Sequence, residues 1–245
     1  MNLERTARMA DDRSPPQIAE QIRESIRGGS LPPGSHLSAL ELAEHFGVSR
    51  GPVREALRLL ESTGLVKIVP QKGAFVIALG DDEVREVLQL REVLFALLAE
   101  HCAARATAAD LVNLKRVVVK IAALATRADC TPRDFQRMTD RFVAKMYRIA
   151  PMPRLTRAIQ DLSAGPAEIW GHLAVATREM RHIELRGYQQ LFKAIQSGDG
   201  AAAFAAARRM HADGVTRALE LNRVTQATGS NPVELKRTRR RKVGG

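Results

Sequence analysis

Three arginines at regular spacing are the first side chains in this sequence that could do chemistry. Arg50, Arg54 and Arg58 recur every four residues, so on a helix they would lie on one face. Guanidinium groups in such a row can bind phosphates and can pair with guanine through two parallel hydrogen bonds. The same row could also be an ordinary solvated face. The elements around it must decide between these interpretations.

A second row on the same segment predicts that this helix is packed along its other side. Ser49 is a good N-cap, and Pro52 falls in the first turn, where a missing N–H costs little. Four apolar residues then recur at helical spacing: Val53, Ala56, Leu57 and Leu60. We therefore expect a helix that is buried on one side and presents arginines on the other.

A short amphipathic segment comes directly before the arginine helix. Residues 38–46 place Leu42 and Phe46 four residues apart, and Gly47 follows as a tight corner that leads into Ser49. This is the two-helix spacing of a helix-turn-helix.

The segment after the arginine helix predicts a β-hairpin. Gly64 ends the helical pattern, residues 65–69 and 74–77 are predicted to be strands, and residues 70–73 form the turn between them. Such a hairpin is a wing, so the sequence predicts a winged helix-turn-helix whose arginine helix inserts into the DNA major groove.

These motifs resemble the DNA-binding half of GntR-family bacterial transcription regulators. The resemblance spans roughly residues 15 to 77 and is carried by 49–57, 64–65 and 72–76. It implies DNA contacts from the following residues: Ser38, Ser49, Arg50, Gly51, Pro52, Arg54, Arg58, Gln71, Lys72 and Gly73. One position departs from the family pattern, because Leu40 stands where an arginine is common. That contact is expected to be missing or to come from another residue such as His36.

Length and composition limit the remaining possibilities. At 245 residues the chain can form two domains, and its 4% of aromatic residues favours helices packed on helices. No apolar run approaches the about 20 residues that span a bilayer, and the first residues lack the apolar core of a secretory signal. Cys102 and Cys130 form neither a disulfide framework nor a zinc site by spacing. We expect a cytoplasmic, nucleoid-associated protein that does not contact membranes.

The formal charge of +11 is unevenly distributed along the chain. Residues 1–80 carry 10 Lys and Arg against 9 Asp and Glu, whereas residues 222–245 carry 7 against 1. The winged helix must therefore bind DNA through the placement of its charges rather than their excess. The run 236–242 is basic without an acid among its residues and is expected to repel itself.

Four segments are predicted from these patterns. Residues 1–14 are expected to be a disordered arm, residues 15–78 the winged helix-turn-helix, residues 82–224 an all-helical ligand-binding and dimerisation domain, and residues 225–245 a basic flexible tail. The fold class is mostly α, with the α+β winged helix followed by an antiparallel bundle of about six helices.

The helical half shows apolar rows at helical spacing and no strand signal. A long helix begins at Asp81 and carries Arg91 inside an otherwise apolar row. We expect Asp110 to cap the second helix, the fifth helix to run from Leu173 to Ile195, and the last to end near Arg223.

This half resembles the FadR-type C-terminal ligand-binding domain, the FCD domain, which follows the GntR winged helix in one large subfamily. The resemblance covers most of residues 82 to 221, and its motifs are 90–94, 103–107, 153–155, 191–199 and the residues around Met210 and His211. It implies an effector cavity in the middle of the bundle.

Many members of that subfamily bind a divalent metal through one Asp and three His. The corresponding positions hold Thr139 beside Asp140, Val143, Tyr188 and His211. Because three of the four ligands are absent or displaced, we expect no metal cofactor. The less polar cavity would suit a larger or more apolar effector.

The expected effector contacts are the polar residues that remain in this region: Arg91, Asp140, Tyr188 and His211. Arg91 could bind an effector carboxylate, or it could pair with an acid of a neighbouring helix.

The sequence thus predicts a homodimeric transcription regulator that is not an enzyme. It is expected to bind a short palindromic operator, to respond to a small metabolite, and to repress, because nothing identifies the polymerase contact of an activator. One alternative is a dimeric regulator without effector response and with a degenerate ligand site. A remote alternative is a helical-bundle metalloenzyme, which would need paired Glu-x-x-His motifs that the chain lacks.

Overall fold

The computed structural model describes residues 13–165, 171 and 173–228, and their side chains except those of Asp81 and residues 221–228. These residues divide into two compact units, with the boundary between Gly80 and Asp81, and residues 164 and 165 group with the first unit. The predicted N-terminal arm up to residue 12 and the predicted tail from residue 229 lie outside the described residues.

The first unit is a winged helix-turn-helix. Its helices are α1 (Pro15–Arg27), α2 (Ala39–Phe46) and α3 (Arg50–Ser62), and its strands are β1 (His36–Leu37), β2 (Val66–Val69) and β3 (Gly73–Val76). The strands form one antiparallel sheet in the order β1-β3-β2. The fold class predicted for this half is confirmed.

Isoleucines of α1 and apolar residues of α3 form the core of this unit. Ile18, Ile22 and Ile26 are fully buried at four-residue intervals, and Val53 and Leu60 are buried on the facing side of α3. The two helices pack along each other. Burial of five such side chains contributes on the order of 1.5–3 kcal/mol each, and it turns the arginine face of α3 outward.

Strand β1 is an element that the sequence did not reveal. It pairs His36 with Phe75 and Leu37 with Ala74, and a bond of 3.0 Å from the Val76 N–H to the Ser35 carbonyl extends the pairing. A strand of two residues is too short to show alternation, and only the neighbouring strand makes it a strand.

The start of α1 corrects the predicted limit of the N-terminal arm. Ser14, which was expected to be disordered, is the N-cap residue of α1. Its backbone N–H donates to Oε1 of Gln17 at 3.0 Å. Pro15 and Pro16 then occupy the first turn, where their missing N–H groups cost little.

In the described part of the second unit, all regular secondary structure is helical. The helices are α4 (Asp81–Arg105), α5 (Ala108–Thr126), α6 (Pro132–Ile149), α7 (Pro153–Ser163), α8 (Arg178–Gln196) and α9 (Gly200–Thr228). Helix α4 packs along α9, α7 and α8, while α5 packs between α6 and α8. The predicted bundle of about six helices is confirmed. No helix in the described ranges is both long enough and apolar enough to cross a bilayer.

The core of the bundle is built from the apolar rows that the sequence displays. Phe135, Phe142 and Met146 of α6 are fully buried together with Leu98 of α4. Cys102 is also fully buried, and burial raises the pKa of its thiol to about 12. It is therefore a core residue rather than a reactive thiol.

Three helix ends differ from the prediction. Thr107, not Asp110, is the N-cap of α5, and Asp110 completes a capping box from the third helical position. Helix α8 begins at Arg178, where Thr177 caps it, and a turn at residues 174–177 separates it from Leu173. Helix α9 continues to Thr228, beyond the predicted end near Arg223 and into the predicted tail.

Candidate functional site

The arginine face of α3 is exposed. Arg50, Arg54 and Arg58 are all solvent-accessible, and four residues of helix separate successive members by about 6 Å along the axis. Arg58 is partly engaged by Glu55, whose carboxylate lies 3.3 Å from Nη1. Among the described residues Arg50 and Arg54 form no ion pair, so both are available to a phosphate or a base edge.

The corner between α2 and α3 positions the start of the arginine helix. Gly47 ends α2 in the left-handed region at φ 67°, which favours glycine. Ser49 is the N-cap of α3 but its side chain makes no capping hydrogen bond, so its hydroxyl can bond to a ligand. Gly51 is exposed beside it, and Pro52 is half-buried in the first turn.

Helix α2 contributes less to this surface than the family pattern implies. The Ser38 hydroxyl accepts a hydrogen bond from the Glu41 N–H at 3.3 Å and so caps α2. Leu40 is 45% exposed and offers no hydrogen bond to DNA at the position where the family commonly has arginine.

The wing carries the other predicted contacts at its tip. Gln71 has a φ of 61°, and both Gln71 and Lys72 are exposed. Gly73 has a φ of 93°, and a Cβ there would lie 2.6 Å from Nε2 of His36. The His36 ring packs against the Phe75 ring at a tilt of 53°, with ring centroids 5.0 Å apart. The structure thus places His36 on the wing and not at the missing position on α2.

A hydrogen bond that sequence reasoning missed joins α3 to the wing. The Ile68 N–H donates to Oε1 of Glu61 at 2.8 Å. This bond fixes strand β2 relative to the last turn of the arginine helix. Nothing in the sequence singles out Glu61, because an exposed glutamate near a helix end is common.

The four predicted effector contacts lie in the second unit, with Arg91 at the centre of the group. Burial lowers the pKa of Arg91, and the nearby groups that oppose this effect are Tyr147, Tyr188 and Asp140. Its Nε is shielded from solvent and has no hydrogen-bond partner among the described residues. Arg91 forms no ion pair there either, so the predicted alternative of a structural ion pair with a neighbouring helix is not what the structure shows.

Tyr188 and His211 face the same interior from α8 and α9. The Tyr188 ring packs edge-on against Phe142 at 5.1 Å, and burial raises the pKa of its hydroxyl. The His211 ring lies 4.5 Å from the ring of Phe95. Burial, reinforced by the charge of Arg91, lowers the pKa of His211 to about 3. The imidazole is therefore neutral at physiological pH.

The last predicted contact, Asp140, lies at the edge of this group. It is exposed on α6, and it accepts a hydrogen bond of 3.1 Å from Nε2 of Gln136. Tyr147 on the same helix is a member that sequence reasoning missed. The sequence could have indicated this, because Tyr147 follows Asp140 by seven residues and residues seven apart share a helix face.

The residues at the family's metal positions do not fit a transition metal. Val143 packs against the apolar core, and Thr139 is buried with its hydroxyl donating to the Gln136 carbonyl at 2.8 Å. Tyr188 is a poor ligand for such ions, which prefer imidazole, thiolate and carboxylate. Within the described residues no three His, Cys, Asp or Glu side chains group together.

Comparison with known proteins assigns both halves of the chain. Residues 16–76 match the family described as bacterial regulatory proteins, gntR family. Residues 86–213 match the FCD domain, and these two matches account for most of the described residues.

Individual relatives are regulators of transcription. The HTH-type transcriptional repressor RspR of Escherichia coli K12 is 28% identical over 186 residues, which are 75% of this chain and 79% of RspR. YdhC of Bacillus subtilis, an uncharacterized HTH-type regulator, is 38% identical over 84 residues, only 34% of this chain and 38% of YdhC. The structure of E. coli McbR/YncC has a TM-score of 0.66 at 22% identity, over 84% of this chain and 97% of that chain. This last likeness shows the fold.

Proposed function

Because the chain belongs to the GntR family of bacterial transcription regulators and carries an FCD domain, we propose that it is a homodimeric repressor released from its operator by a small carboxylate. It would act in the cytoplasm, where the chromosome lies. Repression is favoured because RspR, which is similar over three quarters of this chain, is a repressor. The operator would be a palindrome, since two copies related by a two-fold axis read two inverted half-sites.

The unpartnered charge of Arg91 is the observation that carries the effector proposal. Arg91 is half-buried, and its shielded Nε–H without a hydrogen-bond partner is costly to the free protein. A carboxylate can accept two parallel hydrogen bonds from such a group. The aromatic rings of Phe95 and Phe142, which contact His211 and Tyr188, would cover the apolar body of the same molecule. A carboxylate with an apolar body is therefore the effector class that this cluster fits.

The test combines a thermal-shift screen with operator binding. Purified protein is first screened against a panel of carboxylates by differential scanning fluorimetry. Compounds that raise Tm are then added to a complex with labelled operator, obtained by selecting duplexes from a random pool. The proposal expects at least one carboxylate to raise Tm and to change operator affinity. A panel that does neither would favour the regulator without effector response.

An exposed apolar pair on α4 supports the proposed dimer. Leu90 and Val93 are 49% and 48% exposed and lie nearly one turn apart. Val93 is the middle residue of α4, so a two-fold axis perpendicular to the helix at this residue would pair two copies in antiparallel orientation. The acidic start of one copy, with Asp82 and Glu83, would then face the Arg105 end of the other.

A charge placed in this contact should separate the copies. Val93→Lys would set two ammonium groups against each other across the axis. Light scattering after size exclusion should show monomers for this variant and weaker operator binding. Val119→Lys is the matched control, because Val119 is 61% exposed on α5, away from this face. If the Val93→Lys protein is still a dimer, the dimer contact does not lie at Leu90 and Val93.

A further inference from the structure

A groove of about 320 Å³ lies between α8 and α9, and its lining residues do not include the effector cluster. Its floor is formed where Gly187 meets Met210, because a Cβ on Gly187 would lie 2.5 Å from Cγ of that methionine. Tyr188 and His211 lie on the same two helices but are not among the lining residues. The groove and the effector cluster therefore share a wall and are separate sites.

A shielded ion pair forms one part of the groove lining. Nη2 of Arg217 donates to Oε2 of Glu184 at 2.7 Å, and the two side chains are only 12% and 15% exposed. The Arg217 Nε is shielded and has no partner among the described residues. An ion pair removed from water in this way is rarely a net source of stability, so its presence in a groove calls for another reason.

Cations outnumber anions among the residues that line the groove. Arg186 and Arg209 are exposed at its rim, and neither forms an ion pair with a carboxylate in the described ranges. Together with Arg217 they supply three guanidinium groups, against the two carboxylates of Glu184 and Asp213. Guanidinium groups recognise carboxylate and phosphate groups through paired hydrogen bonds.

We propose that this groove binds a small organic anion through a carboxylate or phosphate group, held by Arg209 and Arg217, and that the anion displaces the carboxylate of Glu184 from Arg217. This second ligand site is independent of the effector proposal. Arg186 at the rim adds positive charge that attracts the anion, while Ile183 and Met210 contact its apolar part. Binding on the outer side of α8 and α9 would act on the helices whose inner side carries the effector cluster.

Because the anion would replace the Glu184 carboxylate at Arg217, anion binding should depend on whether Glu184 is protonated. Burial raises the pKa of Glu184 to about 7, opposed by Arg217 and assisted by Asp213, both on α9. The charge of Glu184 also raises the pKa of Tyr188, which lies on α8 together with Glu184. A neutral Glu184 gives up Arg217 readily, whereas an ionised one competes with the ligand. The affinity for the anion should therefore increase as the pH falls through 7.

Isothermal titration calorimetry with sulfate and with oxalate tests the site on the full chain. Both probes stay fully ionised between pH 6 and pH 8, so any pH dependence belongs to the protein. The protonated fraction of a group with a pKa near 7 changes about tenfold over this range, and we expect the affinity for both probes to change by a similar factor. Glu184→Gln should bind about equally at both pH values.

Three further variants distinguish this site from other cationic surfaces. Arg209→Ala should weaken binding about tenfold or more, and Arg178→Ala, an exposed arginine of α8 outside the groove, should not change it. Arg91→Met should also retain binding, because Arg91 belongs to the effector cluster. Circular dichroism confirms that each variant is folded. The proposal is wrong if neither probe binds, if Arg209→Ala binds like the unmodified protein, if Arg91→Met loses binding, or if Glu184→Gln keeps the pH dependence.

Discussion

Replacement of Arg91 by methionine should stabilise the protein while removing its response to the effector. Methionine keeps the length and the apolar stem of the side chain but carries neither the charge nor the N–H groups. In the ligand-free protein the Arg91 Nε is shielded and unpartnered, and burial lowers the pKa of the guanidinium. The fold therefore shields part of a cation whose Nε–H has no hydrogen-bond partner among the described residues.

The magnitude follows from that unsatisfied group. A buried polar group without a partner costs about 1–3 kcal/mol, so Arg91→Met should raise the free energy of unfolding by about 1–3 kcal/mol. For a protein of this size each 1 kcal/mol corresponds to about 2–4 °C in Tm. Asp140 is exposed and stays solvated without the arginine, so its loss of a nearby cation offsets little of the gain.

Arg181 provides a matched control for the same substitution. Its Nε is also shielded and unpartnered, but its Nη1 donates to the carbonyl of Val175 at 3.2 Å and lies 3.4 Å from that of Ala176. Arg181→Met would leave these carbonyls without their donor and should lower the free energy of unfolding by about 1–3 kcal/mol. The same substitution should thus raise the free energy of unfolding at Arg91 and lower it at Arg181.

Chemical denaturation of the three proteins, followed by the thermal-shift screen, checks both expectations. Arg91→Met should unfold at higher denaturant than the unmodified protein, bind operator normally and show no Tm shift with the effector. If Arg91→Met is destabilised as much as Arg181→Met, Arg91 is a structural cation. If it keeps the effector-induced shift, the carboxylate binds elsewhere.

The remaining predictions concern DNA binding and pH. Arg54→Ala should weaken operator binding by about 1–3 kcal/mol with altered base preference in competition assays, whereas Arg58→Ala should cost less because Glu55 already engages that guanidinium; equal losses would contradict this order. Lys72→Ala at the wing tip should weaken binding to all duplexes and flatten the salt dependence, and selective loss on the operator would assign it a base contact. Deletion of residues 232–245, which lie outside the described residues, should also give a shallower slope of log K against log salt without affecting the effector response, and an unchanged slope would leave the segment without a role in DNA binding. Because the pKa of Glu184 is raised to about 7, its contribution to stability is present at low pH and is lost as the pH rises through 7, by about 1 kcal/mol between pH 6 and pH 8; denaturation midpoints of Glu184→Gln should lack this decline.

The helices and the wing could be read from the sequence because their signals are local. The row of buried residues in α3, beginning at Val53, has helical spacing, and Gly47 and Gly64 stop the patterns on either side. Strand β1 could not be read in this way, because its pairing with β3 joins residues almost forty positions apart. Helix α8 was placed too early because the apolar row continues into residues before Thr177, and only the cap geometry shows where the helix begins.

The sequence indicated which types of residue form the site, but not which groups they contact. Arg91 stands out as a charge within an apolar row, and within the described part of the chain it forms no ion pair. Tyr147 and Glu61 were missed, because their roles depend on contacts that packing creates: one lies near Arg91 across the bundle, and the other accepts a bond from Ile68. A polar residue on a helix gives no local sign of what will face it.

In the proposed effector site, the cation at Arg91 would take the place of the metal charge that the altered positions no longer hold. A divalent metal and a guanidinium both neutralise a carboxylate, but the guanidinium needs no protein ligands around it. Val143 packs against the apolar core, so in the proposed effector site Arg91 alone would have to supply the positive charge that meets the carboxylate. His211 remains and stays neutral beside that cation, so in the proposed site it would bond to the effector without adding a charge. A site of this composition favours one carboxylate on an apolar body over a polyanionic chelator, because every further charge would enter an apolar surrounding without a partner.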